Sequence, residues 1–290
     1  DAHHHHQWLW CSAQSTAVLY AYIISRKTAV ISLTASVYSF RFEKTLMSAA
    51  NSVTCTCQRQ ERAYVDVIIP VHNAAETIVD TVKSVMIQRV PRHLISVCPR
   101  MLDVAVCCFD DGSTDESFAL LQQLNNEYTN HGNGKERIQS KLLISTSKDG
   151  VARGAGYARN QATSLRDEHV DDPYFLCLLD SDDIMHETRV AEQVSAMMAL
   201  NPNERERTIM GCNFDRDPPL STWHYAKWAN GLTDERLTLE RFREVTVLQP
   251  TWIMTKSRFH TLGGYVEAPH PKQIGDDWSI KTDGTFSSTN

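Results

Sequence analysis

The chain has 290 residues, 42% of them hydrophobic and 22% charged, with a formal net charge of −6. That length holds one large domain or two small ones, and the balance is that of a globular protein rather than a disordered or fibrous one. The acidic total excludes a globally basic nucleic-acid binder but leaves room for a local basic face.

Residues 1–62 show no convincing hydrophobic period and no motif. The chain starts at Asp1 and carries a histidine run, His3–His6. This reads as a fragment or an over-extended translation, with Met47 as an alternative start. Ala17–Phe40 is moderately apolar, but Arg26 and Lys27 interrupt it, and a spanning helix needs about 20 mostly apolar residues. No membrane anchor is expected. Residues 1–62 are expected to be an unstructured or non-native extension, residues 63–278 the domain proper and residues 279–290 an irregular tail. Of the eight cysteines, Cys107, Cys108 and Cys177 fall in apolar runs, and Cys55-Thr56-Cys57 lacks a second pair at zinc spacing. That pattern suits a reducing, cytoplasmic setting.

A regular pattern begins at Tyr64–Pro70, a strand. Ala74–Gln88 reads as a helix with Ile78, Val82, Val85 and Met86 on one face. Leu102–Phe109 is a second strand, followed by a helix to Tyr128 whose start carries a capping box, Ser113 with Glu116. Leu142–Ser145 is a third strand and Gly154–Leu165 a third helix. Phe175–Leu179 is a fourth strand, apolar throughout, as expected for one buried on both faces. A helix over Glu187–Leu200 and a strand over Thr208–Phe214 follow. The alternation predicts a parallel, right-handed, doubly wound α/β sheet. Beyond Asp217-Pro218-Pro219 the pattern changes. A short helix near Trp223–Trp228, a helix over Leu232–Val245, a strand over Val247–Met254 and a helix over Lys256–Leu262 are expected.

The chemistry gathers at strand ends. Asp180, Asp182 and Asp183 follow the fourth strand, and three close carboxylates need a compensating cation. Mg²⁺ and Mn²⁺ favour oxygen ligands and share them with phosphates. Asp110-Asp111 ends the second strand and His72-Asn73 the first, so one sheet edge suggests a ligand with nucleobase, ribose and phosphates. Arg153, Arg159 and Asn160 flank the third helix, where cations and backbone N–H groups suit a diphosphate. Gly154-Ala155-Gly156 is a weak dinucleotide signal, since Arg159 replaces the third glycine. Asp276-Asp277 reads either as a surface turn or as a source of a general base.

Val67–Asn73 with Pro70 inside it, Asp110–Asp115, Gly154-Ala155-Gly156 with Ala158-Arg159-Asn160, and Leu179–Asp183 follow one another in order. The set resembles the inverting family 2 glycosyltransferases of the GT-A fold over about residues 64–278. The resemblance implies a GT-A type doubly wound, mainly parallel sheet with helices on both faces. It also implies a UDP-sugar donor and Mn²⁺ or Mg²⁺. Pro70, His72, Asn73, Asp110, Asp111, Arg153, Arg159 and Asp180 would then surround the nucleotide sugar, with Asp111 on uracil and Asp180 on ribose. Asp182 and Asp183 would hold the metal, and Asp277 or Asp276 would be the base. Gly156–Ala162, Arg216–Pro219 and Pro250–Trp252 are similar to a branch of that family that moves galactose to queuosine, which implies UDP-galactose and a tRNA acceptor. Two departures stand out: the interval from Asn73 to Asp110 is long, and the tail after Asp277 is unlike the family. A chain ending in this way is expected to bind donor and to transfer poorly. The rival readings are a haloacid-dehalogenase-like phosphatase, from Asp180-Ser181-Asp182, and a non-catalytic UDP-sugar or tRNA-binding module.

Overall fold

A computed structural model describes residues 8–10, 20–23, 62–130, 138–166, 173–218, 221–240, 244–267, 278–280 and 286–288. The strands are β1 Trp8–Trp10, β2 Tyr20–Ile23, β3 Arg62–Val71, β4 Met101–Asp110, β5 Ile138–Thr146, β6 Tyr174–Leu178, β7 Thr208–Gly211, β8 Asp215–Asp217, β9 Ile253–Thr255, β10 Trp278–Ile280 and β11 Phe286–Ser288. The helices, numbered here in order, are α1 Ile78–Met86, α2 Ser117–Asn130, α3 Ala155–Thr163, α4 Arg189–Ala199, α5 Pro202–Arg205, α6 Trp223–Asn230, α7 Asp234–Glu240 and α8 Lys256–Leu262.

One seven-stranded sheet runs in the order β2-β7-β9-β6-β3-β4-β5. β3, β4, β5 and β6 are mutually parallel, while β9 lies antiparallel to both β6 and β7. The chain passes from β3 outward through β4 and β5, then returns to place β6 on the other side of β3. That reversal opens a crevice at the carboxyl ends of β3 and β6, where α/β sheets bind ligands.

The sheet is central because its strands are apolar on both faces. β6 is buried along its whole length. Alternate residues of β3 and β4 project to opposite sides. Val65, Val67, Val104 and Val106 pack with Ile78 and Val82 of α1, Leu121 of α2 and Val190 and Val194 of α4. Ile68, Ala105 and Cys107 pack on the other side with Ala158 and Ala162 of α3 and Phe259 of α8. Helices therefore cover both faces, as the alternating pattern predicts. Cys98, Cys107, Cys108, Cys177 and Cys212 are not joined in disulfides. Among the described residues no helix is long and apolar enough to cross a membrane.

Several boundaries differ from the sequence reading. Two strands fall inside residues 1–62: β1 pairs antiparallel with β8 and β2 with β7. β2 thereby forms an edge strand of the seven-stranded sheet, while β1 and β8 make a separate two-stranded ribbon, so these residues carry short strands where the sequence shows no period. Most of residues 1–61 lie outside the described residues. The strand expected over Val247–Met254 shrinks to β9, preceded by a single 3₁₀ turn at Gln249–Thr251. Pro250 lacks the N–H that a central strand must donate. In the tail, β10 pairs with β11.

Candidate active site

The acidic turn after β6 is fixed from behind. Thr77 and Thr81, at the start of α1, both donate hydroxyl hydrogen bonds to the Ser181 carbonyl at 2.9 Å. Met185 N donates to Ser84 Oγ at 3.0 Å, and Arg189 of α4 donates to the Leu178 carbonyl at 3.0 Å. The turn is thus held between two helices, and its carboxylates take different directions. Asp183 is buried, 3% exposed, and lines neither cavity at this edge. Asp180 and Asp182 are half-buried and line the larger one, of about 480 Å³.

That cavity lies at the β3/β6 reversal. Its walls are Pro70, Val71 and His72 from the end of β3, Asp111 after β4, the start of α3 with Arg159, and Asp180–Asp182. An adjoining cavity of about 300 Å³ shares His72, Ser181 and Asp182 and adds Asn73, Glu76 and Asp115.

Asp111 is 2% exposed. Its Oδ2 accepts from the backbone N–H groups of Arg153 at 2.7 Å and Gly154 at 2.6 Å. Its Oδ1 is buried without a hydrogen-bond partner among the described residues. Arg159, 9% exposed, donates to Asp180 Oδ1 at 2.6 Å and lies 5.3 Å above the Tyr265 ring, while its buried Nε has no partner among the described residues. Burial pushes the Tyr265 phenol up to about 12, so the ring beneath that cation is neutral. Asp111 and Arg159 both line the cavity, so each carries a buried polar atom without a described partner beside the space where a polar ligand would sit.

The sequence-predicted residues divide accordingly. Pro70, His72, Asp111, Arg159, Asp180 and Asp182 are brought together, with Asn73 in the adjoining cavity. Asp110 turns away: its Oδ2 accepts from Thr146 Oγ1 at 2.7 Å, tying β4 to β5. The Arg153 guanidinium is also committed elsewhere, to Asp149 Oδ2 at 2.7 Å and Ser147 Oγ at 2.8 Å, so this residue serves the cavity through its backbone. Asp276 and Asp277 lie outside the described residues. The capping box is replaced by Asp115, which accepts from Ser117 N at 3.0 Å and from Ala75 N at 3.0 Å. Burial raises the Asp115 carboxyl, but the hydrogen bonds from Ser117 and Ala75 outweigh it and leave the group below its usual range. Gly112, in the turn after β4, has a structural role that the sequence reading missed. It takes φ +68°, and a Cβ there would fall 2.7 Å from the Gly150 carbonyl oxygen. Gly112→Ala is expected to cost about 1–3 kcal/mol and to weaken ligand binding by displacing the 147–154 loop. Thermal unfolding together with nucleotide titration would check both.

The donor set also suits a divalent cation shared with a ligand. Among the described residues no three His, Cys, Asp or Glu side chains form a metal cage. Mg²⁺ and Mn²⁺ are commonly held by one or two carboxylates plus substrate phosphates, and Asp182 opens onto both cavities.

A mainly parallel α/β sheet with helices on both faces thus carries, at its strand reversal, a polar crevice walled by carboxylates and one guanidinium. Residues 66–260 match the protein family described as Glycosyl transferase family 2. The chain belongs to that family, and the phosphatase reading falls away. Among solved structures it is similar to S. aureus TarS 1–349 in complex with UDP, at 21% identity and a TM-score of 0.29, over 47% of this chain and 32% of that one. The same protein with UDP-GlcNAc gives 20%, 0.30, 48% and 31% in the same order. The mannosyltransferase PcManGT from Pyrobaculum calidifontis, in complex with GDP-Man and Mn2+, gives 14%, 0.41, 72% and 48%. The chain thus spans about a third of the length of the TarS structures and about half that of PcManGT.

Proposed function

We propose that this domain is an inverting glycosyltransferase that takes a UDP-sugar as donor and transfers the sugar to an acceptor hydroxyl. The observation that carries the reading is the cavity at the β3/β6 reversal, inside the family-matched region, lined by Asp111 and Arg159, whose buried Oδ1 and Nε have no partner among the described residues. In this reading Asp111 accepts from the base, Asp180 takes the ribose hydroxyls, and Arg159 holds Asp180 while facing the diphosphate. Asp182 would hold Mn²⁺ or Mg²⁺, with Asp183 beside it in sequence. When bound, the ion supplies charge neutralisation on the leaving diphosphate. Asp277, or Asp276 next to it, takes the proton of the acceptor hydroxyl. The hydroxyl oxygen forms a bond to the anomeric carbon as the bond to the β-phosphate oxygen breaks and UDP departs, with no covalent enzyme intermediate.

The finer substrate reading rests on the stretches Gly156–Ala162, Arg216–Pro219 and Pro250–Trp252, which favour UDP-galactose as donor and queuosine in tRNA as acceptor. Cys107 and Cys108, buried in β4 and outside any disulfide, suit a reducing, cytoplasmic setting. The test is a panel of UDP-sugars assayed for UDP release with and without divalent ion, beside hydrolysis of a generic phosphomonoester. Release from one or two UDP-sugars, absent with the phosphomonoester, is expected. Nucleotide binding without release from any UDP-sugar would favour a non-catalytic binding module.

A further inference from the structure

The loop from Ser147 to Gly154 is built around two side chains that do not line the cavity. Asp149 is its hub: Oδ1 accepts from Ser147 Oγ at 3.0 Å and from Val151 N at 3.2 Å, and Oδ2 accepts from Arg153 at 2.7 Å. The Arg153 guanidinium also donates to Ser147 Oγ at 2.8 Å and to the Val151 carbonyl at 3.0 Å, and it stacks over Tyr157 of α3 at 4.9 Å. The loop is closed on itself and docked on the helix that follows. Its near end is pinned to the sheet, since Ser147 N donates to the Asp110 carbonyl at 2.9 Å. Its far end delivers the two amides, Arg153 N and Gly154 N, that grip Asp111 Oδ2. A carboxylate with one oxygen saturated by two amides cannot rotate to exchange its oxygens without losing both bonds. Oδ1 is the oxygen left over.

We propose that Asp149 and Arg153 are positioning residues for base recognition: by holding the 147–154 loop they lock the Asp111 carboxylate so that Oδ1 is presented as a fixed, acceptor-only atom. This rests on the reading of the cavity as a nucleotide site. An ionised carboxylate only accepts hydrogen bonds. It therefore matches a base whose ring nitrogen carries hydrogen, as uracil N3 does, and opposes one whose ring nitrogen is a lone pair, as in cytosine. A locked carboxylate enforces that difference, whereas a freely turning one can rearrange around either base.

The experiment measures UDP and CDP affinity by calorimetry on the full chain and on Asp149→Ala, Arg153→Ala and Arg153→Lys, with thermal unfolding of each as a control. The Asp149 side chain is 36% exposed, so its loss is expected to leave the melting temperature nearly unchanged. The expected result is a preference of about tenfold or more for UDP in the unaltered chain, the scale of one buried unsatisfied polar group. In Asp149→Ala and Arg153→Ala the ratio should collapse to within about threefold, mainly by loss of UDP affinity. Arg153→Lys, which keeps the pair with Asp149, should recover part of it. Variants that lower UDP and CDP affinity equally would overturn the positioning role in favour of a purely structural one. Variants that keep the full ratio would overturn it outright. An unaltered chain that binds neither nucleotide would refute the nucleotide reading itself, and the positioning role with it.

Discussion

Replacing Arg166 by methionine is expected to cost about 3–5 kcal/mol of folding stability, because it strands a buried carboxylate. Arg166 follows α3, and its side chain is fully buried. Its Nε lies 2.7 Å from Asp66 Oδ1, an ion pair without the alignment of a good hydrogen bond, and Nη1 reaches Asp103 Oδ1 at 3.1 Å. Asp66 is itself 0% exposed. It also accepts the Tyr174 hydroxyl and lies 3.3 Å from Lys256 Nζ, which donates to Tyr174 Oη at 2.7 Å. Burial opposes the charge on Arg166, but Asp66 and Asp103 outweigh it and hold the group above its usual value. Burial and the neighbouring Asp66 push the Tyr174 phenol well up, so it stays a donor. Two carboxylates, Asp66 and Asp103, thus face three cations: Arg166, Lys256 and, from the exposed side, Arg62 at 3.6 Å from Asp103 Oδ2. These residues come from the starts of β3, β4, β6 and α8 and from just beyond α3, at the edge opposite the cavity. A domain stable by about 5–15 kcal/mol has little margin for such a loss. The urea midpoint should fall sharply in Arg166→Met, less in Arg166→Lys, which keeps the charge but not the fork. A change of under about 1 kcal/mol in both variants would show that the cluster relaxes or takes in water.

That cluster escaped the sequence reading, although a trace of it was present. Asp66 is a lone carboxylate inside an otherwise apolar strand, which calls for a buried partner. Nothing local says that the partner lies 100 residues later. By contrast the strand-end carboxylates were legible, because an apolar run followed at once by Asp is a local pattern. The alternation of strands and helices likewise carried the doubly wound topology. Failures came where a distant group outbid a local one. Ser113 looked like a helix cap, but its hydroxyl accepts from Asn73 N at 2.9 Å, across 40 residues. The helix accordingly starts after Asp115. Arg153 looked like a diphosphate ligand by its place before α3, and Asp149, four residues earlier, claims its guanidinium. β1 and β2 needed partners in β8 and β7, far downstream in the chain.

Asp182→Asn is expected to lower UDP affinity in the presence of Mn²⁺ or Mg²⁺ by about 100-fold, or about 2.8 kcal/mol at 1.4 kcal/mol per tenfold. The cause is charge. Among the residues lining the larger cavity, Asp111, Asp180 and Asp182 are carboxylates and Arg159 is the one guanidinium, so the formal balance is one minus three, or −2. Arg159 is engaged with Asp180 at 2.6 Å, which leaves little positive charge for an incoming diphosphate. An anionic ligand entering an acidic, partly enclosed cavity is repelled unless a cation accompanies it. Asp182 is the carboxylate of the acidic turn that opens onto both cavities, while Asp183 is buried behind it. Removing one charge at Asp182 lowers repulsion of the free nucleotide and removes the anchor for the ion. The variant should therefore bind UDP with nearly the same weak affinity whether or not EDTA is present. The unaltered chain should lose most of its affinity on chelation. Because Asp182 is half-buried at the cavity rim, the melting temperature in the absence of ligand should hold. Equal UDP affinity of the unaltered chain with and without EDTA would remove the ion from the site and leave Arg159 as the sole partner of the diphosphate.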